Sequence, residues 1–335
     1  MKTFRWTFRK RILYLLYLLV VVTVATEIGV RIWGYSAHYI YEPIYTEYPA
    51  AEAVPYIHRP NLENARARGR AVINTDALGL RSLETGGVVG PKTATEYRIG
   101  IVGDSITFGE GVENTADTYC ARLEAQLNAV QDSVQVRVFN FGVSAYSIRE
   151  MAATLEHRML AVEPDLVVMA LIPHDFDLTR TPAIDKYGYN YNHRRSGFVA
   201  KDSFLKRAVR KLHLAYLVRD LHAKSDQVPH ASVEDSLLFE LPAGFRYVRR
   251  FAEFALDHGV AYQIVLLPTV VPKEYGMVHQ QLVAERLNFK DLSSLRDEFS
   301  AESYLASRFD RHPSAAVHAR IAEELARHIQ SCHLR

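Results

Sequence analysis

The chain has 335 residues, of which 48% are hydrophobic and 23% charged, values near the globular average that exclude a disordered, collagen-like or coiled-coil bulk. Forty Lys and Arg against 38 Asp and Glu leave a formal net charge of +2, without the basic excess that nucleic-acid binding brings. Two cysteines are too few for a disulfide framework or a cysteine-based structural zinc site.

The N-terminus departs from this average. Residues 1–11 carry Lys2, Arg5, Arg9, Lys10 and Arg11 and no acid. An uncharged apolar run follows from Ile12 to Thr26, and the chain stays apolar through Trp33 apart from Glu27 and Arg31. The 22 residues from Ile12 to Trp33 span about 33 Å as a helix, which matches the hydrocarbon core of a bilayer. Glu27 and Arg31 are four apart and can pair on one helix face. Basic residues precede the span, and no Lys or Arg occurs between Trp33 and His58. That asymmetry predicts a membrane anchor with a cytoplasmic N-terminus and an extracytoplasmic (periplasmic or extracellular) remainder. Trp33, Tyr35, Tyr39, Tyr41, Tyr45 and Tyr48 would form its interfacial belt. A cleaved signal peptide, with Thr23-Val24-Ala25 as cleavage site, shares the charge pattern and also exports the chain. A buried core helix fits the basic start and the apolar continuity less well.

Residues 34–90 are weakly periodic and rich in Tyr, Pro, Ala and Arg. They read as a juxtamembrane linker with one or two lead-in strands, one near Ala71–Asn74. From residue 91 to 335 the pattern becomes that of one α/β domain. Strands are predicted at Tyr97–Gly103, Val134–Gly142, Asp165–Pro173 and Ala261–Pro268, each a short β-branched or apolar run. Helices are predicted at Thr115–Val130, Ser147–Ala161, Phe245–His258 and Ser314–Gln330. Alternating strands and helices imply a parallel sheet with helices on both faces, whose ligands bind beyond the carboxyl ends of the strands. An insertion at 178–244 interrupts the rhythm. Its segment Phe204–His222 is basic and amphipathic, and Tyr187, Tyr189 and Tyr191 suit either a solvated loop or stacking on sugar.

Two motifs lie at predicted strand ends. GDSITFGEG (Gly103–Gly111) places Ser105 on a strand-to-helix turn, where its hydroxyl can project from the sheet edge beside free backbone N–H groups. The same serine can be a plain helix cap. Without G-x-G-x-x-G or G-K-[ST], the glycines support nucleotide binding only weakly. FDRHPSAAVH (Phe309–His318) places Asp310 and His312 before the closing helix. Residues i and i+2 of an extended stretch share a side, so Asp310 can accept from His312 Nδ1–H and leave Nε2 as a base. A serine hydroxyl needs such a base to become a nucleophile. One His-Pro among fourteen histidines says little by itself; two motifs at one predicted edge say more.

These segments resemble the SGNH, or GDSL-like, serine hydrolases over about residues 72–330. GDSITFGEGV matches the family's first block, FNFGVSAYS the second and DRHPSAAVH the last, while INTDALGLRS (Ile73–Ser82) looks like the lead-in of exported members. The resemblance implies a three-layer α/β/α fold with a mainly parallel, flavodoxin-like sheet. It implies a Ser105–His312–Asp310 triad and an oxyanion hole from the backbone N–H groups of Ser105 and Gly142. The third block departs: His174 stands where the family carries an asparagine that donates to the oxyanion, and a neutral histidine there can either donate one N–H to the hole or be a structural surface residue. Asp310 also precedes His312 by two residues, where some members have three.

The expected protein is an anchored serine esterase acting on an acylated glycan or lipid, with no cofactor and no metal. The same triad would serve an O-acyltransferase, and the His174 departure keeps a non-catalytic binding protein open. In this fold Cys120, near the start of the first helix, and Cys332, past the end of the last, lie roughly 20–25 Å apart at 1.5 Å per residue, so no bridge is expected.

Overall fold

A computed structural model describes residues 7–35, 41–68, 71–131, 133–192, 209, 211–225, 233–270 and 275–334, leaving aside the side chains of 191–192, 219–220, 222–225 and 233–240. The chain divides into two compact units, Met1–Ile40 with Val199–Pro229, and Tyr41–Phe198 with His230–Arg335.

In the first unit, α1 (Phe8–Trp33) is one continuous helix. Among the described residues it alone is long and apolar enough to cross a membrane, and its apolar side chains are exposed except that of Val30. Glu27 and Arg31 pair at 2.7 Å, as their spacing predicts. The Glu27 carboxylate also accepts the N–H groups of His213 and Leu214, at 3.0 and 2.8 Å. These open the helix His213–Ser225, so Glu27 caps donors that its first turn leaves unpaired. That helix is the described part of the amphipathic segment expected at Phe204–His222; residues 204–208 and 210 lie outside the described residues.

The second unit begins with a hairpin of β1 (Tyr45–Glu47) and β2 (Tyr56–His58), then a small antiparallel sheet of β3 (Ala65–Arg66), β4 (Val72–Thr75) and β5 (Arg81–Ser82). The main elements follow in order: β6 (Glu96–Val102), α2 (Ser105–Phe108), α3 (Tyr119–Asn128), β7 (Gln135–Asn140), α4 (Ile148–His157) and β8 (Leu166–Leu171). After the hairpin β9 (Pro182–Ile184) and β10 (Asn190–Asn192) come α5 (Val233–Asp257), β11 (Ala261–Leu266), α6 (Tyr275–Ala284) and β12 (Phe289–Asp291). The chain closes with α7 (Ala301–Tyr304), the hairpin β13 (Leu305–Ser307) and β14 (Asp310–Pro313), and α8 (Ala315–His333).

The central sheet has the order β12-β11-β8-β6-β7, all parallel. This is the flavodoxin-like order, and its switch point lies between β6 and β8. Every residue of β8 is buried, as a strand covered on both faces requires. Its side chains alternate: Val167, Met169 and Leu171 join the core under α4 and α5, while Leu166, Val168 and Ala170 join the core under α3 and α8. Ser147 and Glu150 form a capping box that starts α4 where the sequence pattern starts it.

Three features differ from expectation. The predicted helix at Phe245–His258 begins at Val233 and runs through Pro242, a residue that reads locally as a helix stop. The edge strand β12 was not predicted, since three residues, two of them charged, carry no periodic signal. The segment expected as a linker with lead-in strands carries the strand expected near Ala71–Asn74, as β4, but residues from 41 on also pack into the core. Ile44, Tyr45, Tyr56, Ile57, Ile73 and Leu80 are buried in the same core as Phe139, Phe141 and Phe176. Tyr45 is 2% exposed, and Tyr41 and Tyr48 pack against that core, so these three do not form an interfacial belt; Tyr39 lies outside the described residues. Strands of two to four residues cannot show a period, and their burial comes from distant partners. Cys120 is buried, Cys332 is exposed, and both are free.

If residues 41–90 belong to the core, Ile44→Ala costs about 2–5 kcal/mol, as for a buried isoleucine. Urea unfolding of the detergent-solubilised full chain measures it; a linker would change by under ~0.5 kcal/mol.

Candidate active site

Strand β6 ends at Val102, and Ser105 opens the single helical turn α2 at the carboxyl edge of the sheet. Asp104 caps that turn: its Oδ1 accepts the Ile106 N–H at 2.9 Å, and its Oδ2 accepts the Ser105 hydroxyl at 3.3 Å. The carbonyl end is braced by Arg81. This guanidinium, 5% exposed, donates to the carbonyls of Phe108 (3.1 Å), Gly109 (2.7 Å) and Val112 (2.9 Å) and to Thr115 Oγ1 (3.2 Å). Burial without a carboxylate partner lowers its pKa to about 10. Phe108 is also stacked on the buried His58, with ring centroids 4.3 Å apart.

The extended strand β14 carries Asp310 and His312 on one side, as the i, i+2 spacing predicts. Asp310 Oδ1 accepts both His312 Nδ1–H at 2.6 Å and the His312 backbone N–H at 3.0 Å. His312 Nε2 lies 3.0 Å from Ser105 Oγ. The three residues of the last and first motifs are thus brought into one hydrogen-bonded line. Gly111 makes room for it: its φ is +83°, and a Cβ there would stand 2.7 Å from Ala306 Cβ and 3.0 Å from Asp310 Oδ2.

Burial works against charging His312, but Glu110, the hydrogen bond and charge of Asp310, and Asp104 outweigh it and raise its pKa to about 9. Ser105, His312, His174 and Ala145 line one cleft of about 320 Å³. Its location, beyond the ends of β6 and β8, is the switch point of the sheet.

Gly142 is a correction. Its N–H donates to Asn140 Oδ1 at 2.9 Å, and a Cβ on it would meet the Phe108 nitrogen at 2.3 Å. It packs under α2, does not line the cleft, and its N–H is already spent. Asn140 itself donates to the Thr107 carbonyl at 2.8 Å, so this part of the second motif is the seat of the α2 turn. The residues of that motif that line the cleft are Ser144 and Ala145, the latter held at φ +74°, a left-handed conformation uncommon for a residue with a Cβ. Tyr56 donates to the Ser144 carbonyl at 2.8 Å and steadies this loop.

His174 follows β8 in a short 3₁₀ turn, Pro173–Phe176, exposed at the cleft wall. Arg180 donates to its carbonyl at 2.8 Å. The neighbouring Asp175 is fully buried and accepts the Ile172 N–H at 2.8 Å. Burial, and then the charge of Asp104, hold it well above the usual carboxylate range. Among the described residues no cluster of three His, Cys, Asp or Glu side chains is arranged to hold a metal ion.

Sequence reasoning missed Arg81, Ala145, Asn140 and Glu110. Arg81 lies inside the quoted lead-in INTDALGLRS, and Glu110 inside GDSITFGEG between two glycines. Only a charged residue set among apolar and turn residues marked either one. Of the tyrosines singled out for sugar, Tyr189 packs edge-on against Tyr41, with ring centroids 5.4 Å apart.

The sequence model of the GDSL-like lipase/acylhydrolase family matches residues 101–320. A comparison with curated proteins gives no match. Similar solved structures include a catalytic mutant of an acetylxylan esterase from Geobacillus stearothermophilus, 18% identical, covering 70% of this chain and 94% of its own, with a TM-score of 0.43. A lipase/acylhydrolase from Enterococcus faecalis is 14% identical, covering 70% of this chain and 96% of its own, with a TM-score of 0.42.

Replacing Arg81 with methionine strips several buried carbonyls of their donor. At about 1–3 kcal/mol for a buried polar group left unsatisfied, Arg81→Met is expected to destabilise the chain by about 2–4 kcal/mol in urea unfolding. A cost below ~0.5 kcal/mol would show that Arg81 does not brace the turn.

Proposed function

The chain belongs to the GDSL-like lipase/acylhydrolase family and is a carboxylic-ester hydrolase; on that premise we propose that it removes acetyl-type O-acyl groups from an extracytoplasmic carbohydrate or lipid through an acyl-enzyme. The observation that carries this reading is the line Ser105–His312–Asp310, with contacts of 3.0 and 2.6 Å, opening on a cleft at the sheet's switch point.

In the proposed reaction, Ser105 Oγ attacks the ester carbonyl while neutral His312 takes its proton at Nε2. Asp310 fixes the ring orientation and the Nδ1–H tautomer, and stabilises the imidazolium. Negative charge develops on the carbonyl oxygen and is met by backbone N–H groups. Ser105 supplies one, and Ala145 replaces Gly142 as the source of the second. His174 stands at the same cleft and would donate a side-chain N–H. Imidazolium then protonates the leaving alkoxide, and water, deprotonated by His312, releases the acid and restores Ser105. The apolar helix α1 would anchor the chain with its basic tip in the cytoplasm.

A fluorophosphonate probe on wild-type and Ser105→Ala protein tests the nucleophile. The wild type is expected to label and the variant not; equal labelling of both sinks the reading. For His174, loss of one oxyanion donor costs about 10²–10³ in kcat. His174→Ala should show that loss with p-nitrophenyl acetate, while His174→Asn retains most activity. If both variants match wild type, His174 lies outside the oxyanion hole.

A further inference from the structure

Beside the proposed triad lies a carboxylate that the mechanism above does not use. Glu110 is 3% exposed, in the turn that follows α2. Its Oε2 accepts the Ser144 hydroxyl at 2.6 Å and lies 3.9 Å from His312 Nε2. Its Oε1 lies 3.3 Å from Arg68 Nη1. Arg68 is held in turn by the Tyr41 hydroxyl at 3.1 Å and Asn190 Oδ1 at 2.8 Å. So a buried anion is fixed from both sides, against the edge of the imidazole that faces Ser105.

Resting on the Ser105–His312–Asp310 reading, we propose that Glu110 is a positioning residue of the ester-hydrolysing site: fixed by Ser144 and Arg68, it stabilises the imidazolium that forms when Ser105 gives up its proton, and it ties that imidazole to the loop carrying Ala145. Asp310 serves the Nδ1 side of the ring; Glu110 serves the Nε2 side. In a buried setting a charge at this distance is weakly screened. Because Ser144 precedes Ala145 in the chain, the hydrogen bond to Glu110 also couples the base to the N–H that would face the oxyanion.

The surrounding charges agree with this assignment. The anions facing His312 are Glu110, Asp310 and Asp104, and together they raise its pKa to about 9 against the effect of burial. Arg68 is engaged with Glu110, and Arg180 lies 3.6 Å from Asp175. Arg311 is exposed on the same strand, and His174 is exposed at the cleft. On α8, burial lowers the pKa of His318 to about 3, so it stays neutral. The hydrogen bonds fit a protonated resting ring: Nε2–H can donate to Ser105 Oγ while the hydroxyl donates to Asp104. The consequence is an alkaline enzyme. Near neutrality the base is mostly occupied by a proton, and activity rises as pH approaches the His312 pKa from below.

The test is the pH dependence of kcat/KM for p-nitrophenyl acetate with the full chain in detergent, corrected for spontaneous hydrolysis. Wild type is expected to show an acid limb near pH 9. Glu110→Gln keeps the size and an acceptor for Ser144 but removes the charge. It should move the limb down by at least about one unit, toward the ordinary histidine value, and lower the alkaline plateau about tenfold. Glu110→Asp keeps the charge but draws it back by about 1.5 Å, and its limb should fall between the two. Ser144→Ala, which keeps the charge and loses the tie, should lower the plateau with little movement of the limb. A Glu110→Gln limb that superposes on wild type overturns the proposal, as does a Ser144→Ala profile identical to wild type. Should Glu110→Gln not fold, Glu110→Asp decides, and an unmoved limb there counts against the proposal. Labelling of Ser105 reports separately: if it fails, the esterase reading fails first; if it stands while the limbs do not move, only the role of Glu110 is lost.

Discussion

The 3.0 Å contact between Ser105 and His312 joins residues 207 positions apart, and much of the second unit can be read as the means of holding it. A parallel sheet puts the carboxyl ends of all its strands on one edge, so β6 delivers Ser105 there. The separate hairpin β13–β14 delivers Asp310 and His312 to the same edge in extended form. Neither end tolerates drift of even an ångström, because a hydrogen bond of this kind weakens steeply with distance and angle. That explains the investment around the α2 turn. Asp104 holds its N–H end, Arg81 its carbonyl end, Asn140 its middle, and Gly142 gives it a seat without a Cβ.

The edge is crowded with buried ionisable groups. Asp104, Asp175, Glu110, Asp310, Arg81 and Arg180 are each less than a tenth exposed. Buried ions contribute little net stability and are costly when broken. Their value here is orientation: every one sets a backbone segment or a side chain that faces the cleft. The raised pKa of His312 follows from the same crowding, which stabilises the protonated ring.

The N-terminal unit solves a different problem. A carboxylate near the end of an apolar helix is expensive if left unpaired. Glu27 is satisfied by Arg31 on its own helix and by the first N–H groups of the helix His213–Ser225. The i, i+4 pair was legible in the sequence. The cap was not, since nothing near residue 27 points to residue 213.

The same division runs through the fold and the site. Where a segment makes its own case, the sequence carries it. The buried strands β6, β7, β8 and β11, the helices α3, α4 and α8, and the apolar helix α1 all show their period or composition over enough residues to be read. Asp310 and His312 are legible as a pair because alternation in an extended stretch is a local rule. Where partners do the work, it is silent. The strands within 41–90 and the edge strand β12 are too short to show a period. In FNFGVSAYS the glycine drew attention, yet packing turned Gly142 into the floor and left Ala145 at the cleft. Nothing local marks Arg68, Arg81 or Glu110; the fold buries Arg81 and Glu110 and leaves Arg68 half-buried against Glu110. By itself the sequence determined the layered α/β architecture, the exceptional N-terminus and the three residues Ser105, Asp310 and His312, because each follows from local periodicity and side-chain chemistry. Only the tertiary structure decided which backbone N–H groups are free and which charges face His312, because those depend on contacts between segments that the chain keeps far apart.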